Sequence, residues 1–200
     1  METITNQGFE REPLTEIDGA ALIRRPKFFD ARGSFSEISR AEGKVFPTFV
    51  QHNTTFCYAN VLRGMHLQRD RPQGKLVTCV YGAILDVLFD LRPESPTYLC
   101  GFAWETNFHD DRSIYAPPGV AHGYLALSRF SVINYSCTTT YDPSSDGGIN
   151  WADPALADLW PKLIDPVVSD KDRALPSLAE YREQYLKEDQ NDSEQEPDQT

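Results

Sequence analysis

Apolar and β-branched residues fall along this chain in short runs set between glycines, prolines and polar clusters. Lys75 to Tyr81 is apolar and β-branched, Gly82 marks a turn, and Ala83 to Asp90 alternates so that Leu85, Val87 and Phe89 share one face. That period of two is the pattern of a strand whose two faces meet different surroundings. It predicts further strands over Tyr98 to Trp104, Ser113 to Ala116, Tyr124 to Leu127 and Ser131 to Thr140. Near the start, Ala20-Ala21-Leu22-Ile23 is an extended apolar piece, and the rest of residues 1 to 25 is too polar to assign. Many short strands without alternating helices predict an all-β antiparallel sandwich or barrel rather than an α/β fold.

After Asp142 the pattern changes. Pro143, Ser144, Ser145, Gly147 and Gly148 form a loop, and Trp151 and Trp160 are expected to pack the following stretch onto the barrel. Ser177 and Glu180 have capping-box spacing, which predicts a short C-terminal helix with Leu178, Tyr181 and Tyr185 on one face. Glu188 to Thr200 carries six acids and no Lys or Arg, the composition of a disordered tail. The expected organisation is one domain over 1–187 followed by the tail at 188–200.

Composition narrows the class. Two hundred residues with 40% hydrophobic content suit one domain with a substantial core. The net charge of -11 argues against a nucleic-acid partner. Because six of the 30 acids sit in the tail, the body with its 19 bases stands near -5, which leaves room for a local basic pocket and an anionic ligand. Asp86 and Asp90 interrupt Val77 to Leu91, so no run approaches the roughly 18 apolar residues of a membrane helix, and no membrane partner is expected. Glu2, Glu10, Arg11 and Glu12 stand where a secretion signal needs an apolar run, which points to the cytoplasm. Cys57, Cys79, Cys100 and Cys137 show no C-x-x-C spacing, and three lie in strand-like apolar surroundings, as buried free thiols would.

The chemistry concentrates in Val61-Leu62-Arg63-Gly64-Met65-His66-Leu67-Gln68 and the nearby Gln73-Gly74-Lys75-Leu76-Val77. Imidazole exchanges protons near neutral pH, so His66 is a candidate base, with Arg63 and Lys75 as cations on either side. A second piece, Pro117-Pro118-Gly119-Val120-Ala121-His122-Gly123, supplies another histidine. His52 and His109 have polar surroundings and are expected on the surface or in loops.

These segments, an R-G-x-H followed by Q-x-K-L-V and a later P-x-G-x-x-H-G, resemble the dTDP-4-dehydrorhamnose 3,5-epimerase family of cupins. The resemblance extends upstream to Asp30-Ala31-Arg32-Gly33-Ser34-Phe35-Ser36-Glu37 and Phe49-Val50-Gln51-His52-Asn53-Thr54-Thr55. Downstream it takes in Asp90-Leu91-Arg92, Ser95-Pro96-Thr97, Tyr141-Asp142-Pro143, Trp151-Ala152-Asp153-Pro154, Trp160-Pro161 and Ser169-Asp170-Lys171-Asp172. It implies a cupin jelly roll and an isomerase that inverts C3 and/or C5 of a dTDP-4-keto-6-deoxyhexose in rhamnose-like deoxysugar biosynthesis. A metal-binding cupin offers two His and a Glu from its first motif and a third His from its second. Here only His66 and His122 stand in those places, so neither a metal nor any other cofactor is expected.

The same resemblance implies roles for single residues. His66 is the base, Asp172 orients it, Lys75 stabilises the enolate and Tyr135 is the acid on the opposite face. Arg63 suits diphosphate oxygens, a fork being better matched to them than an ammonium. Gln51, Asn53 and His122 line the pocket. Arg32, Phe35 and Glu37 reach the nucleotide from a partner subunit, which makes the expected assembly a homodimer with an exchanged N-terminal strand. On their own, Lys75 reads as a solvated charge at a strand start, Tyr135 as a core aromatic and Asp172 as a loop residue. Met65, Leu67, Thr54 and Thr55 depart from the family pattern and leave the regiochemistry open, so a monoepimerase at C3 or C5 is the alternative. A non-catalytic nucleotide-sugar-binding cupin is a third reading. The set His66, Lys75, Tyr135 and Asp172 speaks against it, since a pure binder needs no base and acid.

Overall fold

The computed structural model describes residues 3–162 and 165–184. The chain begins with β1 (Ile4–Asn6), β2 (Phe9–Pro13) and β3 (Ala21–Arg24), then a hairpin of β4 (Lys27–Asp30) and β5 (Gly33–Ser36). Next come β6 (Gln51–Tyr58), β7 (Leu62–Gln68), β8 (Lys75–Tyr81), β9 (Ala83–Asp90) and β10 (Gly101–Asn107). The series ends with β11 (Arg112–Ala116), β12 (Val120–Ala126), β13 (Phe130–Cys137) and β14 (Asp146–Gly148). One sheet runs β1-β2-β3-β11-β8-β13-β6 and the other β10-β9-β12-β7-β14, with antiparallel pairing throughout. This double sheet is the expected all-β jelly roll.

The alternation read from Ala83 to Asp90 is real, but both faces of β9 are covered. Ile84 and Leu88 point into the sandwich, against Val77, Cys79, Ile114 and Ile133 of the facing sheet. Val87 and Phe89 point outward, where Ile149, Leu156, Trp160, Val168 and Tyr181 of the C-terminal segment cover them. Trp160 joins that outer core and Trp151 packs against it, so the tryptophans do fasten the segment to the barrel. A third cluster, with Phe9, Ile23, Phe46, Leu76 and Tyr115, closes the outer face of the larger sheet.

Several boundaries differ from the sequence reading. The strand expected over Tyr98 to Trp104 starts at Gly101, because residues 95 to 100 form turns: Tyr98 N–H donates to the Ser95 carbonyl and Leu99 has φ +63°. Asp90 organises that corner by accepting from Arg92, Ser95 and Thr97. The strand begun at Ser131 ends at Cys137 rather than Thr140. The unassigned N-terminal stretch holds β1 and β2, which carry few buried side chains and so show no apolar alternation.

The capping box forms: Ser177 N–H donates to Glu180 Oε2 at 2.8 Å and Glu180 N–H donates back to Ser177 Oγ at 3.2 Å. It opens helical backbone across 178–184, on which Tyr181 is buried. Tyr185 and the acidic stretch 188–200 lie outside the described residues. No helix among the described residues is long and apolar enough to cross a membrane. Cys57, Cys79 and Cys137 are buried free thiols and Cys100 is exposed.

Candidate active site

Two glycines bring the histidines together. A Cβ on Gly64 would lie 2.5 Å from Gly123 Cα, and one on Gly123 would lie 2.8 Å from the Arg63 carbonyl oxygen. Only residues without side chains let β7 and β12 approach this closely, and Gly64 also has φ +130°. The approach carries a register shift between His122 and Tyr124 and leaves His122 directly opposite His66. The glycines of the R-G-x-H and H-G pairs are therefore geometric requirements of the site.

Asp172 comes from the far end of the chain. It lies on the short helix α1 (Asp170–Arg173), not in a loop, and Ser169 caps that helix through the Asp172 N–H. One carboxylate oxygen, Oδ1, lies 3.1 Å from His66 Nε2 and accepts from Ser169 Oγ at 2.8 Å. The other, Oδ2, accepts from the Gly64 N–H at 3.1 Å. Burial works to raise the pKa of this carboxyl, yet the hydrogen bond from His66, with those from Gly64 and Ser169, holds it below the ordinary aspartate value. It stays ionised beside the imidazole. His66 Nδ1 is buried without a hydrogen-bond partner, so this nitrogen is the one left to take a proton.

His66, Asp172, Lys75, Tyr135, Arg63, Asn53 and His122 all line one cavity of about 450 Å³ to which both sheets contribute, within the size range of small-molecule sites. His66 and His122 enter it from the five-stranded sheet, Lys75 and Tyr135 from the seven-stranded one. Lys75 is not a solvated surface charge: its Nζ donates to the His66 carbonyl at 3.2 Å, and burial lowers its pKa, with Cys137 and Asp146 pulling the other way. Burial is also the main cause that raises the Tyr135 phenol well above its ordinary value, followed by the neighbouring Tyr124.

His122 forms a second pair of the same kind, its Nε2 2.9 Å from Asp86 Oδ1, with both residues buried. Asp86, which in sequence merely breaks an apolar run, is the anchor of a cavity histidine. The charge balance favours an anionic guest. Asp172 is committed to His66, and Asp146 is committed to Lys171 and to Tyr141 Oη at 2.8 Å. Arg63 and Lys75 have no carboxylate within salt-bridge distance among the described residues.

Four expected residues lie elsewhere. Gln51 does not line the cavity; it stands behind it, donating to Asn53 Oδ1 at 3.2 Å and accepting from the Tyr141 N–H at 2.7 Å. Arg32 pairs with Asp30 and Glu37 with Arg40, and Phe35 is 68% exposed, so within one chain these three stay on or beside the β4–β5 hairpin, away from the cavity. His52 and His109 are exposed, as expected. The cavity also holds residues given no role above: Thr55, Tyr124, Cys137, Tyr141, Asp146 and Lys171. Motif positions signal Thr55, Tyr141 and Lys171, whereas Tyr124 looks in sequence like one more core aromatic. Among the described residues no group of three or more His, Cys, Asp or Glu side chains is placed to hold a metal ion.

Comparison with known proteins agrees with this geometry. The family model for dTDP-4-dehydrorhamnose 3,5-epimerase matches residues 14–180. The dTDP-4-dehydrorhamnose 3,5-epimerase of Methanothermobacter thermautotrophicus is 40% identical over 172 residues, 83% of this chain and 93% of that protein. The structure of the Legionella pneumophila 3,5-epimerase in complex with dTDP-4-keto-L-rhamnose has a TM-score of 0.80 at 34% identity, covering 86% of this chain and 93% of that one. The Streptomyces bikiniensis 3'-monoepimerase ChmJ, in complex with dTDP-quinovose, has a TM-score of 0.78 at 30% identity, covering 90% and 98%. The chain belongs to the dTDP-4-dehydrorhamnose 3,5-epimerase family.

Proposed function

We propose that this protein is an epimerase that inverts C3 and C5 of a dTDP-4-keto-6-deoxyhexose in deoxysugar biosynthesis. The observation that carries the reading is the arrival of an oriented base, His66 on Asp172, and a protonated phenol, Tyr135, at one cavity from opposite sheets. Inverting a carbon beside a ketone needs proton removal from one face and return to the other, with a cation at the developing enolate oxygen. His66 takes the proton, Asp172 holds the imidazole and stabilises its charged form, Lys75 meets the enolate, and Tyr135 returns a proton. Arg63 supplies the fork for the diphosphate, while Asn53 and His122 bind alongside it. No step calls for a cofactor.

A monoepimerase acting at C3 or C5 alone is the second reading, favoured by the similarity to ChmJ and by the identical demand both reactions make on the base. The test is incubation with dTDP-4-keto-6-deoxyglucose in heavy water, followed by NMR. Deuterium at C3 and C5 supports the double epimerase and deuterium at one carbon the monoepimerase. Absence from both favours a nucleotide-sugar-binding protein or a different substrate.

The working form we propose is a homodimer in which the N-terminal strand is exchanged. Phe28, Phe29 and Phe35 stand exposed on the β4–β5 hairpin. Phe56, Tyr58 and Phe130 pack on one another on β6 and β13, with Phe56 and Tyr58 more than half exposed. Aromatic patches of this kind favour burial against a second copy. In that arrangement Arg32, Phe35 and Glu37 reach the nucleotide in the partner's cavity. We read 1–187 as one catalytic domain and place it in the cytoplasm, a reducing setting that suits buried free thiols.

A further inference from the structure

The β4–β5 hairpin stands off the sandwich on a well-defined root. Its strands form a separate two-stranded sheet. Phe28, Phe29 and Asp30 on one strand and Gly33, Ser34 and Phe35 on the other are exposed, and only the root pair, Lys27 opposite Ser36, is half-buried. A two-stranded hairpin is marginal in water on its own, so its direction is set where it joins the barrel. Arg25 sits there, 6% exposed. Its Nη1 donates to Ser36 Oγ at 3.1 Å and its Nη2 to the Asp110 carbonyl at 3.1 Å. The Arg25 backbone N–H donates to the Asp111 carbonyl at 2.7 Å, and Ser36 Oγ donates to the Pro26 carbonyl at 3.0 Å. One side chain therefore ties the end of β5, through Ser36, to the start of β4 and to the loop that leads into β11.

We infer that Arg25 is a positioning residue that aims the β4–β5 hairpin of its own chain into the partner's cavity, so that its effect on binding is exerted in the other subunit. The inference rests on the homodimer proposed above, in which Arg32, Phe35 and Glu37 reach the partner's nucleotide.

Two physical points favour it. A buried guanidinium is costly to desolvate, and an apolar side chain would fill the same space without that cost. What the guanidinium adds is a rigid fork of donors that holds several acceptors at once in fixed directions. The hairpin is also a lever. Three residue steps from root to tip span roughly 10 Å, so about 10° of slack at the root moves the tip by about 2 Å, more than a hydrogen bond to a phosphate oxygen tolerates. The tip itself is closed by the Arg32 N–H, which donates to Asp30 Oδ1 at 2.8 Å, so slack enters at the root.

The test is steady-state kinetics on mixed dimers of the full chain, co-expressed with two different tags and purified on both, with dTDP-4-keto-6-deoxyglucose as substrate. The Arg25→Met homodimer should show KM raised roughly tenfold or more, the size of a lost hydrogen bond to a charged group, with kcat little changed. Paired with His66→Asn, the Arg25→Met chain holds the working base and receives the other chain's intact hairpin, so KM should return to the wild-type value. Wild type paired with the Arg25→Met, His66→Asn double variant should keep the raised KM, because its live cavity receives the loosened hairpin. The opposite pattern, a loss confined to kcat, or a wild-type KM in the Arg25→Met homodimer overturns the inference. If thermal melts show that Arg25→Met is not native, Ser36→Ala, which removes one hydroxyl from the same root, is crossed in its place with the same expectation at smaller size. Arg32→Ala crossed with His66→Asn tests the dimer separately: a KM that Arg32→Ala does not raise, or that its mixed dimer does not restore, overturns the exchanged homodimer and the Arg25 anchor with it.

Discussion

His66 and Tyr135 reach one cavity from opposite sheets of the sandwich, the first from β7 and the second from β13. Asp172 holds the imidazole at Nε2 and leaves Nδ1 for the proton, and the Tyr135 ring lies 6.4 Å from that of Tyr124. The arrangement assigns the two protons of an inversion to two separate groups, and it can be taken apart one group at a time.

Replacing His66 with Asn should abolish exchange at every carbon. A positioned base is worth roughly 10²- to 10⁴-fold, and loss of the initiating base falls at the upper end or beyond. Asp172→Asn should cost less but still heavily, because the amide favours the wrong tautomer of the ring it holds. Deuterium wash-in followed by NMR measures both, and near-normal wash-in by His66→Asn removes it from the mechanism.

Lys75→Met keeps the length of the side chain and deletes its charge. Since Lys75 sits against the His66 carbonyl with no carboxylate to neutralise it, the loss should fall on kcat, by roughly 10²- to 10³-fold, as for other groups that meet developing negative charge. A change confined to KM would make Lys75 a binding residue only.

Exhaustive chelation should leave turnover unchanged, because among the described residues neither His66 nor His122 belongs to a group of three metal-ligating side chains and each is already paired with one carboxylate. Activity lost with EDTA and restored by one divalent ion would overturn the cofactor-free mechanism.

The Asp172 carboxyl predicts a pH effect on stability. Its folded pKa lies below the ordinary 3.8, so the folded state binds fewer protons than the unfolded chain in that region. The stabilisation is fully present above the unfolded value and is lost as pH falls through the folded one. Denaturant unfolding of wild type and Asp172→Asn at a series of pH values should therefore give curves that converge below about pH 4, the ordinary carboxylate range. Parallel curves would show that the carboxylate gains nothing from its partners.

Local pattern was enough to find much of the fold. Leu85, Val87 and Phe89 share a face because strand geometry forces a period of two, and Ser177 with Glu180 forms a cap because both partners lie within one helical turn. Groups joined across the chain were harder to read. Asp172 is 106 residues from His66, and only resemblance to a family linked them. Asp86 and Tyr124 carried no such signal, since their partners His122, Thr55 and Cys57 come from other strands. β1 and β2 were unreadable for the opposite reason: strands at a sheet margin bury little, and without burial there is no alternation to see.

Separating exchange from inversion tests the division of labour between His66 and Tyr135 most directly. Tyr135→Phe keeps the base, the Lys75 charge and the bound geometry, so it should still form the enolate. The decisive measurement is NMR of both deuterium content and ring couplings after matched incubations of wild type and Tyr135→Phe with dTDP-4-keto-6-deoxyglucose in heavy water. The expected result is deuterium at a carbon beside the ketone in a sugar that largely keeps its starting configuration, because protonated His66 returns the proton to the face it came from. A variant that inverts as fast as wild type would contradict Tyr135 as the acid and leave it a packing residue.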